Sequence, residues 1–373
     1  MSAHANPDIV DDSLVFMYDT DDGKSYKGEP TTNVIAGTSL INTVAGTYTT
    51  NTTVDGVRIL ENNQVNNSHV MWNGATGFIV TCSAGAYVTV SAEYKTNCTI
   101  RMRFRDNPYD SQYDIDGGNI ATISEQSVDI DTDGEWKRYS LTAQTSTANP
   151  DLWWYMVDYR NNNEFGRVEI RNWQVEVKSH ATQFVDGTRS ATQGLLDRTG
   201  TSTINISNAS FDSNAQMTFD GTNDYASLGN PIALRDLTAG TIETVYYRDA
   251  SSGTYQMIFT DAGSDLEITY LGNTLQFYIG NSGLSYTHAV TDQWFNVVGT
   301  WGASFKKLYI NGVQVASGSN TGTDTGSRDR FVGGRGANFP FNGEIPIAKV
   351  YNRALTAAEV LQNFNATKSR FGL

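Results

Sequence analysis

The chain has 373 residues, a net charge of −14, 11% aromatic residues, two cysteines and four histidines. That length suits two to three domains, with cores large enough to fold without disulfides or a metal. The acid excess argues against a nucleic-acid binder driven by phosphate neutralisation. No apolar run is long enough for membrane insertion, and Met1–Asp12 lacks the basic and apolar regions of a Sec-type signal.

The first 22 residues hold Asp8, Asp11, Asp12, Asp19, Asp21 and Asp22 but no Lys or Arg. Within them Leu14–Met17 is a short apolar strand, followed by an ordered loop from Gly23 to Ile35. Two readings are open. One is a solvated tail; the other is a docking segment that adds to a neighbour's sheet or wraps along its surface, steered by a basic surface on an assembly partner. Thr38–Thr53 is rich in Thr, Gly and Asn with little periodicity, which reads as a linker or a weak edge strand, so residues 1–53 are expected to be an extended docking segment and linker.

From residue 54 to 190 a β-rich unit is predicted. Cys82 and Cys98 both lie in its strand-like runs, and read as two buried reduced thiols or as a bridge. Thr99–Arg105 alternates strictly, with Ile100, Met102 and Phe104 on one face and Arg101, Arg103 and Arg105 on the other. Guanidinium forks in a row suit an acidic polysaccharide; the competing reading is an exposed face neutralised by cross-strand acids such as Glu169. Further strands are expected at Tyr87–Tyr94, Glu135–Thr142, Leu152–Tyr159 and Val168–Val177. On the third of these, Trp153, Tyr155 and Tyr159 share a face, either as a platform for sugar rings or as core. Asp129-Ile-Asp131-Thr-Asp133-Gly134 matches the opening of a calcium loop, yet its twelfth position is Ser140 and not an acid. A β-turn explains the run equally well, so a structural calcium on Asp129, Asp131 and Asp133 is the single cofactor expectation, and otherwise none.

Residues 191–373 carry the sharpest patterns. Strands are expected at Ala215–Phe219 and across Gln293–Trp301. Phe305–Ile310 and Val313–Ser317 flank Asn311-Gly312, the pair that best tolerates positive φ in a two-residue hairpin turn. That register sets Ile310 opposite Val313 and Leu308 opposite Val315 on a buried face, with Tyr309 opposite Gln314 on a wet one. Asn342–Tyr351 is another strand, where Pro346 signals an edge or a bulge. Thr356-Ala-Ala-Glu359 is a capping box with Leu355 and Val360 as its staple, and Val360, Leu361 and Phe364 form the apolar stripe of one short helix.

Signatures of catalysis are absent. No strand carries an E-x-D-x-x-E set, and Glu169 and Glu176 are seven positions apart, on opposite faces of a regular strand. The histidines lack metal-ligand spacing, no G-x-S-x-G occurs, and Gly333-Gly334-Arg335-Gly336 opens no helix and reads as a turn. The chain is expected not to be an enzyme.

Several of these motifs together resemble a known module. Phe219-Asp220-Gly221-Thr222-Asn223-Asp224-Tyr225, Trp294 with Gly299-Thr300-Trp301, Leu308–Gly312, Phe341–Ile345 and Tyr351–Leu355 are similar to the laminin-G-like, concanavalin A-like jelly roll that forms a C-terminal module in many phage virion proteins. Trp136–Leu141, Val168–Val177 and Ala181–Phe184 resemble a carbohydrate-binding-module jelly roll, and the Leu14–Ile35 stretch resembles the entry segment that precedes such modules. The resemblance implies an all-β chain of two antiparallel β-sandwiches (jelly rolls), residues 54–190 and 191–373, with an N-terminal extended docking segment and one short C-terminal helix. It implies a virion structural protein, a tail-fibre or capsid-surface component assembled in the host cytoplasm. Its partners would be other virion proteins docked through the N-terminal segment, further copies in a homo-oligomer with a trimer favoured, and a host surface glycan. A soluble glycan-binding lectin and a polysaccharide hydrolase are the alternatives.

Overall fold

Period-two alternation dominates the chain, and it folds as antiparallel sheet in the computed structural model. The structure describes residues 8–35, 42–45, 50–62, 69–72, 86–98, 100–106, 127–130, 132–144, 152–158, 166–212, 214, 216–249, 255–263, 265–324 and 326–373. Two units result. One joins the segment up to Pro30 to Ser190–Leu373, and the other is Thr31–Arg189.

The Thr31–Arg189 unit contains two five-stranded antiparallel sheets. The first runs in the order Lys137–Gln144, Tyr87–Thr96, Gly166–Glu176, Val57–Asn62, Thr50–Val54; the second runs Asn42–Ala45, His69–Trp72, Leu152–Asp158, Ile100–Asp106, Ser127–Ile130. Val88, Val90, Ala92, Tyr94, Val168 and Ile170 are buried, as alternation on long strands requires. Cys98 is buried, while Cys82 lies outside the described residues. Of the two readings of 38–53, the edge strand holds: Asn42–Ala45 and Thr50–Val54 are each the outermost strand of their sheet.

In the other unit the strands, in chain order, are β1 (Leu14–Asp19), β2 (Asn205–Ser207), β3 (Ser210–Phe211), β4 (Met217–Asp220), β5 (Tyr225–Gly229), β6 (Gly240–Arg248), β7 (Tyr255–Asp261), β8 (Leu266–Leu271), β9 (Thr274–Ile279), β10 (Ser282–Thr287), β11 (Trp294–Trp301), β12 (Lys306–Ile310), β13 (Val313–Gly318), β14 (Arg330–Val332) and β15 (Asn342–Tyr351), followed by helix α1 (Ala357–Thr367). One sheet has the order β3-β4-β15-β6-β11-β12-β13, with β1 also paired to β15; the other runs β2-β5-β14-β7-β8-β9-β10. Their inner faces share one core containing Tyr246, Phe295, Val297 and Trp301 from the first sheet and Ile268, Tyr270, Leu275 and Phe277 from the second. This is the aligned sandwich that alternating strands produce.

The N-terminal segment is not an independent docking arm. β1 pairs along Ile347–Tyr351 of β15, and Phe16 and Tyr18 are fully buried in the shared core. Its other edge is covered too. Asp197 accepts from Met17 N at 3.0 Å, and Met17 O accepts from Arg198 N at 2.7 Å. Asp197 itself is held by the backbone amides of Thr199, Thr201 and Ser202. Four of the six acids expected to steer docking have a cation within the same unit: Asp12 has Arg353, Asp19 and Asp21 have Arg370, and Asp22 has Arg198. A strand too small to fold alone has found a sheet edge in its own chain, so the β-addition expectation is corrected.

The Asn311-Gly312 hairpin forms with φ of 50° and 77°, and Ile310 faces Val313 and Tyr309 faces Gln314 as expected. Beyond that a bulge shifts the register, so Leu308 opposes Ala316 and not Val315. Pro346 also sits in a bulge, where β15 slips against β6 between Val245 and Tyr247. The capping box at Thr356 and Glu359 is complete. Helix α1 lies on the outer face of the eight-stranded sheet, with Val360 and Leu355 packed on Tyr309, Tyr351, Val298 and Val10. Tyr309 is therefore buried, correcting its expected wet face.

Candidate functional site

On the opposite side of the sandwich, the outer face of β7–β10 is open. In β8 and β9 the inward set is Leu266, Ile268, Tyr270, Leu275, Phe277 and Ile279, all fully buried. Alternation therefore turns Glu267, Thr269, Gln276 and Tyr278 outward, and the register places Thr269 opposite Gln276 and Glu267 opposite Tyr278. These side chains, with Tyr255 and Met257 of β7, line a groove of ≈ 420 Å³.

The far wall is the turn from Gly333 to Phe341. Gly333, Gly336 and Phe339 all have positive φ, at 81°, 56° and 54°. At Gly333 a β-carbon would also collide with the Phe219 ring, so the position needs glycine. Met257 N donates to Phe339 O at 3.1 Å, which ties the turn to β7. The result is an aromatic pair at the lip: Phe339 meets Tyr255 edge-on, ring centres 5.6 Å apart, and each ring is 40% exposed. A bulky residue held at positive φ is uncommon and is kept only where the surroundings over-determine it.

Arg335 projects from the same turn. Its guanidinium lies 5.4 Å from the Phe339 ring centre and ion-pairs with Glu267 on the groove floor. Thr260 Oγ1 donates to the same Glu267 oxygen at 3.1 Å, and Gln276 Nε2 donates to Ser285 Oγ at 3.4 Å. The floor thus offers oriented donors and acceptors, and the lip offers exposed ring faces and edges. Planar polar groups under an aromatic pair suit a ligand with hydroxyls on one side and an apolar ring face on the other.

The expected glycan residues lie elsewhere, in the Thr31–Arg189 unit. Backbone register places Arg105 opposite Trp153 and Arg103 opposite Tyr155, so the arginine and aromatic sets occupy neighbouring positions of one sheet. In backbone register Arg101 lies opposite Asp158 on one neighbouring strand and Asp129 on the other. Glu169, expected as its neutralising acid, sits in the other five-stranded sheet and ion-pairs with Arg167. A register shift after Tyr155 breaks the alternation on which the shared face with Tyr159 depended, and Tyr159 itself lies outside the described residues.

For the calcium expectation, Asp131 lies outside the described residues. Asp133 is mostly exposed and pairs with Lys137 Nζ at 3.2 Å. Asp129 is on the Ser127–Ile130 strand. Among the described residues no group of three His, Cys, Asp or Glu side chains is placed to hold a metal. Glu176 is fully buried and accepts from Thr31, Gln174 and Thr182, a structural role.

Tyr255, Glu267, Gln276, Arg335 and Phe339 were not singled out from the sequence. The signal was present in Leu266–Leu271 and Thr274–Ile279, two alternating runs around Gly272, whose φ is 54°. Arg335 was read only as part of a glycine-rich turn, and a turn's direction over a sheet is a tertiary property.

Residues 220–361 match the family model of the concanavalin A-like lectin/glucanases superfamily, laminin-G type. The concanavalin A-like fold of this region is therefore shown. No curated protein sequence matches the chain. Among solved structures it is similar to the receptor-binding domain of botulinum neurotoxin type G, at 17% identity and a TM-score of 0.38 over 47% of this chain and 49% of that one. It is similar to the binding domain of botulinum neurotoxin serotype D, at 13% identity and a TM-score of 0.38 over 48% and 50%. A third is domain 4 of the extracellular arabinanase AbnA from Geobacillus stearothermophilus, solved with arabinotriose, at 18% identity and a TM-score of 0.33 over 43% and 81%. The chain spans about half the length of the two neurotoxin chains.

Proposed function

We propose that the C-terminal sandwich is a non-catalytic glycan-binding module whose ligand lies in the groove between β7, β8, β9 and the Gly333–Phe341 turn. The observation that carries this reading is the exposed Tyr255–Phe339 pair above Glu267, Gln276 and Arg335. Stacking on a sugar ring buries apolar C–H faces, while the floor satisfies hydroxyls that would otherwise lose water. Non-catalysis is supported by the acids: Glu267 is the one carboxylate among the described residues that line the groove, and it is already engaged by Arg335 and Thr260. Glycoside hydrolysis ordinarily needs two carboxyl groups flanking the bond.

The wider setting we propose is the surface of a phage particle, with the module displayed as a symmetric trimer. Its support is the resemblance of the ordered C-terminal motifs to virion modules. Attachment to other virion proteins would run through surfaces other than the two edges of β1, both of which are occupied. Locating the protein in purified particles and measuring its mass in solution test these two points.

For the groove, binding of bacterial surface oligosaccharides is measured by calorimetry. Tyr255→Ala and Phe339→Ala should each weaken it by about ten-fold or more, with the thermal midpoint little changed. The same incubations should release no new reducing ends. Binding lost in an Arg101/Arg103/Arg105→Ala variant and untouched by Tyr255→Ala would move the site to the other unit.

A further inference from the structure

A second cleft, of ≈ 360 Å³, opens where β3, β6, β11, β15 and the C-terminal residues of the same unit converge. Its wall is a chain of aromatic rings. Tyr247 meets Trp294 edge-on at 5.5 Å, and Trp294 meets Phe371 at 4.7 Å. The polar lining consists of Asp212, Asn214, Gln216, Glu344 and Arg370.

Charge in this cleft is out of balance. Arg370 is its one cation among the described lining residues, and it is largely engaged by other acids: Nη1 bonds Asp19 at 2.5 Å, Nε lies 3.6 Å from Asp21, and the guanidinium stacks 4.8 Å from the Phe371 ring centre, while Nη2 makes no hydrogen bond. Glu344 has no ion-pair partner among the described residues, and burial first, then Asp212 and Asp249, raise its proton affinity. Asp249 and Asp292 add negative potential beside Tyr247. An aromatic wall attracts cations through the ring quadrupole, and a carboxylate without a counter-ion strengthens that attraction.

We propose that this cleft binds the free ammonium group of an amino sugar, with the nitrogen at Glu344 and the ring against Trp294. The amide side chains of Asn214 and Gln216 favour a saccharide over a plain alkyl amine, because they provide donors and acceptors for hydroxyls around the charged group. An N-acetylated sugar has no positive charge, so it cannot replace the missing counter-ion. The site is separate from the groove of Tyr255 and Phe339, and it stands or falls independently of it.

The test uses the full chain and calorimetric titration with two probes, a glucosamine oligosaccharide and its fully N-acetylated counterpart. The deacetylated probe is expected to bind at least about ten-fold more tightly. Glu344→Gln, which keeps the side-chain volume, should remove that preference, and Trp294→Ala should weaken both probes. Tyr255→Ala should change neither. Titrating the wild type at mildly acid pH, where the probe's amine is already charged and Glu344 is still protonated, in buffers of different ionisation enthalpy should reveal proton release on binding, absent in Glu344→Gln. Such release follows if the ligand ionises a carboxyl held partly protonated by burial, Asp212 and Asp249. Equal affinity for the two probes, or a preference that survives Glu344→Gln, overturns the proposal. Equally tight binding of Nα-acetyl-lysine amide overturns the saccharide assignment, and cleavage of either probe overturns simple binding.

Discussion

On the outer face of the eight-stranded sheet Glu243 meets Lys349 at 3.0 Å with both side chains wholly buried, whereas on the outer face of the seven-stranded sheet Glu267 meets Arg335 on the floor of an open groove. Both acids come from outward positions of alternating strands. What separates them is cover. Helix α1 and residues near Val10 close over Glu243: Asn363 Nδ2 donates to it at 2.6 Å, Asn296 Nδ2 donates at 3.1 Å, and Asn363 Oδ1 accepts from Val10 N at 2.8 Å. Glu267 is covered only by its immediate partners, Arg335 of the Gly333–Phe341 turn and Thr260, and its side chain keeps 6% exposure where Glu243 keeps none. A polar outward pattern thus has two fates, a sealed network that joins distant segments or a ligand surface. The deciding factor is which part of the chain returns to that face.

The largest expected effect comes from taking away the returning segment. A fragment covering 191–373 contains every C-terminal motif, and on sequence grounds it should fold alone. It lacks β1, so the core loses Phe16 and Tyr18, and the Ile347–Tyr351 edge of β15 loses its partner. Losing a buried aromatic costs about 3–5 kcal/mol, and two of them approach the ~5–15 kcal/mol of a whole domain. Circular dichroism on heating should show no cooperative transition for 191–373. One should reappear when residues 8–30 are fused back. A fragment that melts like the full chain would mean that β1 is an ornament and the two faces are less different than described.

Next is the sealed pair. Glu243→Ala leaves Lys349 buried without its counter-charge and should cost about 3–5 kcal/mol, read as a lower denaturant midpoint. Glycan affinity of the groove should be unchanged, since the two faces lie on different sheets. If Glu243→Ala weakened binding as much as stability, the faces would be coupled through the core.

The features that could be read in advance were the ones that local chemistry decides. Asn311-Gly312 announces its own turn, Thr356 with Glu359 its own cap, and Pro346 its own bulge. Tyr309 was misread because alternation assigns a side, and only α1, arriving some fifty residues later, makes that side dry. β1 was misread for the same reason, since its partner strand β15 is more than three hundred residues away. The groove was missed because no single run carries it: Tyr255, Glu267, Gln276, Arg335 and Phe339 come from four separate segments.

A smaller effect probes how firmly α1 seals its face. Thr356 Oγ1 accepts from Glu359 N at 3.3 Å, and Glu359 Oε2 accepts from Thr356 N at 2.8 Å. Thr356→Ala should cost about 1 kcal/mol, visible as a modest drop in denaturant midpoint. A drop as large as that of Glu243→Ala would show that the cap, and not the buried pair, holds the helix in place.

The smallest effect lies at Glu344, and its sign separates an open cleft from a sealed network. Burial first, then Asp212 and Asp249, push its pKa up to about 7 from the ordinary 4.5. An unfolded chain gives up that proton near the ordinary value, so between roughly pH 4.5 and 7 the folded state holds more protons than the unfolded one. Stability from this group is therefore full below that window and falls as pH rises through it. Glu344→Gln has no proton to lose. Relative to wild type it should gain stability on going from about pH 4 to about pH 8, by roughly 1 kcal/mol or less, because solvent screens a partly exposed carboxyl. Comparing urea midpoints of the two proteins at both pH values isolates the group, since the two chains differ at no other position. A difference that stays the same at both pH values would mean Glu344 is already neutralised by a cation, as Glu243 is, and the cleft would then be a second sealed face.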